Sequence, residues 1–219
     1  MSVGRLIVVE GIDGSGKTAV TKRLAEVWGQ EFNDQTVHSV RDPGSNQVSE
    51  SVRDIIMNNG DIAPTTEMML FAAARSQLVE QTIKPVMKEG KTVICDRFTP
   101  STFVYQISRL YGQEAILDDF NTGIQAYNML SSIAELLCWP KPWVYIYLKC
   151  PSELCAQRIA EKTNGNRLDA NEAEQSIRAR LYDWYFRMSP NVITADTSHG
   201  LLDETIKEVV AGVKKRKPM

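Results

Sequence analysis

Residues 8–18 read VVEGIDGSGKT. An apolar run enters a glycine-rich turn, and an amphipathic pattern leaves it. Gly11-Ile12-Asp13-Gly14-Ser15-Gly16-Lys17-Thr18 fits G-x-x-x-x-G-K-[ST], here between a buried-strand pattern and a helix pattern. Few sequence features constrain a fold more tightly. Glycines let the backbone turn its N–H groups inward around phosphate oxygens. The following helix adds the positive end of its dipole. In such a loop Lys17 is placed to reach the β- and γ-phosphates, and the Thr18 hydroxyl to ligate Mg²⁺. All eight residues, 11–18, are therefore candidates for binding a nucleoside triphosphate.

The rest of the chain repeats strand-then-helix. Buried-strand runs lie at 5–10, 36–40, 92–96, 143–149 and 191–195. Helical periodicity covers about 18–31, 46–58, 65–89, 100–110, 114–137, 152–162, 171–187 and 201–213. This alternation predicts an α/β fold, a five-stranded parallel sheet with helices on both faces in three layers. No repeat or Pro/Gly/Ser-rich linker interrupts it, so residues 1–219 are expected to form a single domain. Pro85 inside the 65–89 pattern predicts a kink or break. The polar run EKTNGNRLD at 161–169 predicts an exposed, mobile loop.

The 219 residues carry 43% hydrophobic and 24% charged side chains and a net charge of −2. That balance suits a globular domain and supplies no global field for nucleic acid or anionic membrane. The four cysteines form no CxxC pair, which argues against a zinc or redox motif and for reduced thiols in the cytoplasm. The N-terminal apolar run is too short for a signal peptide or membrane span. The KKRK at 214–217 reads as a solvated tail.

Three further stretches fall where ligands gather in open α/β sheets, at the C-terminal ends of strands. Asp96-Arg97 follows the third strand, with Asp96 placed to help hold Mg²⁺ and Arg97 to bridge two phosphates. Arg41 follows the second strand, in a Pro-Gly turn with Asp42 and Pro43. Two arginines at neighbouring strand ends offer planar donors for an acceptor phosphate. Phe71 and Arg75 stand i and i+4 on one helix face, where a ring and a guanidinium can hold a base. Taken singly, each has a plainer reading: a surface ion pair, a turn, a core ring beside a surface arginine.

Taken together, EGIDGSGKT, RDPG, LFAAARSQL, IKP, DRFTPSTFVYQ and NRLD resemble the thymidylate kinase family, in its order and roughly its spacing. The resemblance implies ATP + dTMP → ADP + dTDP with Mg²⁺, and a homodimer. It also implies roles for particular residues. Asp13 would face the acceptor's sugar and phosphate. Phe71 would stack under the base and Arg75 donate to its O4. Thr102 would contact the base edge, Pro43 and Gln106 would belong to the acceptor site, and Tyr105 would pack under C2′ and disfavour ribose. Arg41 and Arg97 would clamp the acceptor phosphate, and Ser101 would cap its helix or touch the base pocket. The 161–169 loop would be a lid. Members with an arginine in the phosphate loop differ from this chain, which has Gly14; here the charge would come from Arg158, Lys162 or Arg167. Catalysis would then fall to Lys17, Arg97, Asp13, Arg158 and Arg167. Phe103 stands where the family commonly has a small residue, and bears on the size of the base pocket.

Rival readings each make a different demand. A deoxynucleoside kinase needs a base for a 5′-hydroxyl, and Asp42 lies at about that place. An enzyme for 5-modified pyrimidine deoxynucleotides would differ around Phe103 and ISRLYG. A GTP-binding switch needs Asn-Lys-x-Asp, which the sequence lacks.

Overall fold

The computed structural model describes residues 4–32, 37–162 and 171–216. Five parallel strands, β1 (Leu6–Glu10), β2 (Val37–Arg41), β3 (Thr92–Asp96), β4 (Val144–Lys149) and β5 (Val192–Asp196), stand in the order β2-β3-β1-β4-β5. Each lies within a residue or so of the run that predicts it. The helices are α1 (Lys17–Phe32), α2 (Gln47–Asn58), α3 (Pro64–Leu78), α4 (Lys84–Lys88), α5 (Thr99–Thr102) and α6 (Ser108–Tyr111). They continue as α7 (Gln113–Asp118), α8 (Phe120–Leu136), α9 (Ser152–Lys162), α10 (Glu172–Arg187) and α11 (Leu202–Lys214).

Strand pleating sends alternate side chains to opposite faces. Ile7 and Val9 join Val20, Leu24 and Trp28 of α1 and Val209 and Val213 of α11 in one core. Leu6 and Val8 join Leu78, Phe103, Leu130, Tyr182 and Phe186 in the other. Both faces of β1 and β3 are therefore dry, which is why LIVVE and TVICD read as continuous rather than alternating runs. Among the described residues no helix is long and apolar enough to cross a membrane.

The helical expectations hold unevenly. Of the kink or break expected at Pro85, the break does not occur. The helix widens into a π turn at Val79–Ile83, with Lys84 N–H bonded to the Val79 carbonyl, and then runs on as α4. The wider turn removes the demand for a proline N–H and relieves the ring clash. A second π turn, Phe103–Ile107, joins α5 to α6. The pattern at 114–137 is two helices: Asp119 ends α7 and caps α8, accepting from the N–H groups of Asn121 and Thr122. Of the loop expected at 161–169, positions 161 and 162 belong to α9, and the remainder lies outside the described residues.

Candidate active site

The order of the sheet puts β1 at the centre, so its C-terminal loop meets the ends of β3 on one side and β4 on the other. Gly14 takes φ +82°, and a Cβ there would lie 2.4 Å from the Cys155 carbonyl oxygen. The first turns of α9 thus pack directly on the loop, and no side chain fits at position 14. Lys17 is buried at the mouth of the loop, its ammonium donating to the Ile12 carbonyl at 2.8 Å. Burial and the Arg97 charge push its pKa down to about 8, against the pull of Asp13, Asp96 and Glu10.

The Thr18 hydroxyl donates to Asp96 Oδ2 at 2.8 Å. The other Asp96 oxygen is buried and finds no partner among the described residues. A hydroxyl and a half-satisfied carboxylate at a phosphate loop are hard oxygen donors of the kind Mg²⁺ takes.

Beyond β3 the chain turns sharply. Arg97 has φ 73°, a left-handed conformation that costs a bulky residue about 1–2 kcal/mol. Glu10, at the end of β1, holds this turn. Its carboxylate accepts from Phe98 N (2.7 Å), Ser101 N (3.2 Å), Ser101 Oγ (2.8 Å) and Tyr182 OH (2.9 Å). Burial raises the Glu10 pKa, and Arg97 and these donors oppose the rise. The Arg97 guanidinium donates to Ser101 Oγ at 2.9 Å, to Tyr182 OH at 3.3 Å and to Asp13 Oδ1. Tyr105 OH donates to the other Asp13 oxygen at 3.0 Å. Burial alone would raise the Asp13 pKa. Arg97, Lys17, Tyr105 and Arg178 reverse that and hold it at about 2.

Arg75 lies one turn after the half-buried Phe71 on α3. Its side chain is 2% exposed and that of Asp42 is 0%. Nε donates to Asp42 Oδ2 at 2.5 Å and Nη2 to the Phe98 carbonyl at 3.0 Å. The guanidinium carbon sits 4.8 Å from the Trp139 ring centre and 5.0 Å from that of Phe98. Nη1 is buried without a partner among the described residues, and so is Thr102 Oγ1. Gln106, in the second π turn, donates to Glu67 Oε1 at 3.0 Å. Pro43 is half-buried and follows Asp42 through a cis bond.

Asp13, Lys17, Thr18, Asp96, Arg97 and Tyr105 thus come together, and Arg75 is anchored to the same Phe98 turn. Other candidates stand differently. Ser101 is no helix cap: the residue before α5 is Phe98, without a side-chain cap, and the Ser101 hydroxyl is spent between Glu10 and Arg97. Arg41 is half exposed and bonded to Glu50 at 2.9 Å. Arg158 sits on α9, donating to the Thr197 carbonyl at 2.8 Å, Cys150 Sγ at 3.3 Å and the Gly14 carbonyl at 3.5 Å. Arg167 lies outside the described residues, and the Lys162 side chain is likewise not described. Phe103 does not face the site; it is fully buried, stacked on Trp184 at 5.4 Å and 12°. Trp184 in turn lies over Gly123, where a Cβ would meet its ring at 2.3 Å. The large residue at 103 is accommodated in the core.

Sequence reasoning missed Glu10, Tyr182 and Arg178. Arg178 Nη1 lies 3.8 Å from Asp13 Oδ2. A weak signal existed: Arg178 and Tyr182 are i and i+4 on α10, so an arginine shares the face that carries a core tyrosine.

The family model described as thymidylate kinase matches residues 9–209. A thymidylate kinase of Pediococcus pentosaceus is 34% identical over 214 residues, 94% of this chain and 95% of that one. One of Limosilactobacillus reuteri is 31% identical over 220 residues, 97% of each. The crystal structure of thymidylate kinase from Ehrlichia chaffeensis shares the fold with a TM-score of 0.70 at 24% identity, covering 97% of this chain and 99% of that one. A match of this extent, over a phosphate loop joined to a buried arginine pocket, means that the chain belongs to the thymidylate kinase family.

Proposed function

We propose that this protein transfers the γ-phosphate of ATP to dTMP, giving ADP and dTDP. The observation that carries the reading is Arg75: a buried guanidinium fixed on two sides, with its Nη1 amino group left over. A buried donor without a partner is costly until a ligand supplies one. A carbonyl at position 4 of a pyrimidine does so; the amino group of cytosine does not. Phe71 one turn away provides the stacking ring, and Thr102 Oγ1 a second base contact. Gln106 and Pro43 border the same pocket, and Tyr105 packs under C2′.

The acceptor is already an anion, so transfer needs positioning and charge neutralisation rather than a strong base. Lys17 would bind the β- and γ-phosphates, and Arg97, Asp13 and Arg41 would orient the acceptor's phosphate and sugar. Thr18 and Asp96 would hold Mg²⁺, which would supply positive charge to offset that of the ATP phosphates. Arg158 and Arg167 would serve the ATP side, with the stretch at 161–169 acting as its cover. A hydroxyl-activating role for Asp42 is disfavoured, because its carboxylate is committed to Arg75 at 2.5 Å.

The chain works as one domain in this reading, in the cytoplasm, where its unpaired thiols stay reduced. Exposed Val48, Ile55 and Met57 of α2 and Met69 of α3 support a homodimer. A net charge of −2 supports no nucleic-acid role.

The test is to supply ATP and Mg²⁺ with each nucleoside monophosphate, deoxynucleoside monophosphate and thymidine, and to measure ADP. dTMP should turn over fastest. Turnover of thymidine but not dTMP would overturn the reading.

A further inference from the structure

Gly14 leaves the phosphate loop without an arginine, and the packing of α9 keeps position 14 bare. Arg97 reaches the acceptor end of the loop from β3, through Asp13 and Tyr105. A second guanidinium reaches the same two residues from elsewhere. Arg178, on α10, lies 4.9 Å from the Tyr105 ring centre, against 5.0 Å for Arg97. Its Nη1 stands 3.8 Å from Asp13 Oδ2, beyond hydrogen-bond reach but within ion-pair range. Its Nη2 is held by Glu174 Oε1 at 2.5 Å, one turn earlier on the same helix. The side chain is 15% exposed, whereas Glu174 is 44% exposed and Asp13 42%.

An arginine on the outer face of a helix usually extends into water. This one turns inward, packs on an aromatic ring and faces a carboxylate already paired with another arginine. Asp13 does not need it: its two oxygens accept from Arg97 and Tyr105. The Nη1 side of this guanidinium, turned away from Glu174, lies beside the aspartate of the phosphate loop, where an incoming phosphate would be neutralised.

We infer that Arg178 is a catalytic residue of the transfer, contacting the acceptor's phosphate from α10 and supplying the guanidinium that the phosphate loop lacks. The inference rests on the proposed acceptor site. In the step itself, an oxygen of the acceptor's 5′-phosphate forms the new bond to the γ-phosphorus. The bond from that phosphorus to the β,γ-bridging oxygen breaks, and its electron pair leaves with ADP. Arg178 gives up no proton. Its fixed charge offsets the repulsion between two anions drawn together and the charge spread over the moving group. The weak Asp13 contact is exchanged for phosphate, while Glu174 keeps the guanidinium aimed.

The experiment compares Arg178→Met, Arg178→Lys and Arg97→Met with the unaltered protein, with KM and kcat measured for ATP and dTMP separately. Methionine preserves most of the stem that packs on Tyr105. Arg178→Met should lower kcat/KM for dTMP by about 100-fold or more, the scale of losing one preorganised donor. KM for ATP should stay within about twofold. Arg178→Lys should fall between, since a point charge lacks the planar fork. Guanidinium added to Arg178→Ala should restore turnover in a saturable way, which a merely structural loss would not allow.

Wild-type dTMP kinetics in Arg178→Met would overturn the inference, as would a loss confined to ATP. If the methionine variant fails to fold, Arg178→Lys decides. A tenfold or greater loss for dTMP supports the role, and wild-type kinetics reject it. Failure of the unaltered protein to use dTMP would sink the site reading itself. Loss in Arg97→Met with full activity in Arg178→Met would sink only the role of Arg178.

Discussion

The two halves of the site are built in opposite ways. The proposed donor half is one continuous stretch, residues 11–18, which would bind through backbone N–H groups and two neighbouring side chains. The proposed acceptor half draws on β1, β2, α3, the turn after β3, a π turn and α10, and depends on side chains meeting across the fold. Asp13 and Tyr105 meet over 92 positions, and Arg75 and Asp42 over 33. A contiguous cradle survives changes in its surroundings. An assembled pocket is exposed to every shift in the elements that carry it. The same contrast separates general phosphate chemistry from the choice of acceptor.

The largest expected effect breaks the donor half alone. Lys17→Ala should lower kcat by about 10³-fold or more, the scale of charge stabilisation in phosphoryl transfer. Its thermal midpoint should shift little, because among the described residues the lysine side chain makes one hydrogen bond, to the Ile12 carbonyl. Retained turnover in a steady-state assay would remove the loop from the mechanism.

Arg75→Ala attacks the acceptor half and should damage fold and function together. It leaves the Asp42 carboxylate buried and unpaired, at a cost of about 3–5 kcal/mol. Burial already raises the Asp42 pKa, and Arg75 opposes that rise. Adding Asp42→Asn should recover much of the stability in denaturant unfolding but not the KM for dTMP. Equal increases in KM for ATP and dTMP would show that the two halves are not separate.

Gly14→Ala sharpens the boundary between the halves. Its Cβ would strike the Cys155 backbone, and φ is +82°. The strain is about 1–2 kcal/mol from the backbone conformation alone, with the clash added. Unfolding should show the loss, and the KM for ATP should rise more than that for dTMP. An alanine variant of unchanged stability would mean that α9 does not press on the loop.

The smallest effect comes from pH. The Lys17 pKa stands at about 8 without ligand, below its usual range. Phosphate favours the ammonium and raises that pKa, so binding takes up a proton once the pH passes 8. ATP affinity should be flat below pH 8 and fall by up to about tenfold per unit above it. A calorimetric titration across pH 7–10 in buffers of different ionisation heat would detect the proton uptake. Affinity independent of pH to 9.5 would show that the lysine keeps its ordinary pKa.

How much was legible in the sequence follows the same division. The strands announce themselves because both faces of a central parallel strand must be apolar. The loop announces itself because its contacts are local. Arg97 and Arg75 could be picked out by position, at a strand end and one turn from an aromatic. Glu10 could not: on paper it is the polar end of an apolar run, and only the packing of the turn after β3 and of α10 brings four donors onto it. Phe103 was legible as a departure but not in its consequence, since Trp184 and Gly123 that make room for it are distant in sequence. Of the kink or break expected at Pro85 there is no break, because a π turn accommodates the ring without ending the helix.

By itself, then, the sequence determined the alternating α/β order, the phosphate loop and its lysine and threonine. Those depend on residue type, short spacing and burial, which are written along the chain. Only the tertiary structure decided that Gly14 must stay bare, that Asp42 belongs to Arg75, and that Arg178 turns inward to Asp13. These outcomes depend on which surfaces the packed sheet and helices press together, and charge placement across such contacts has no period along the chain.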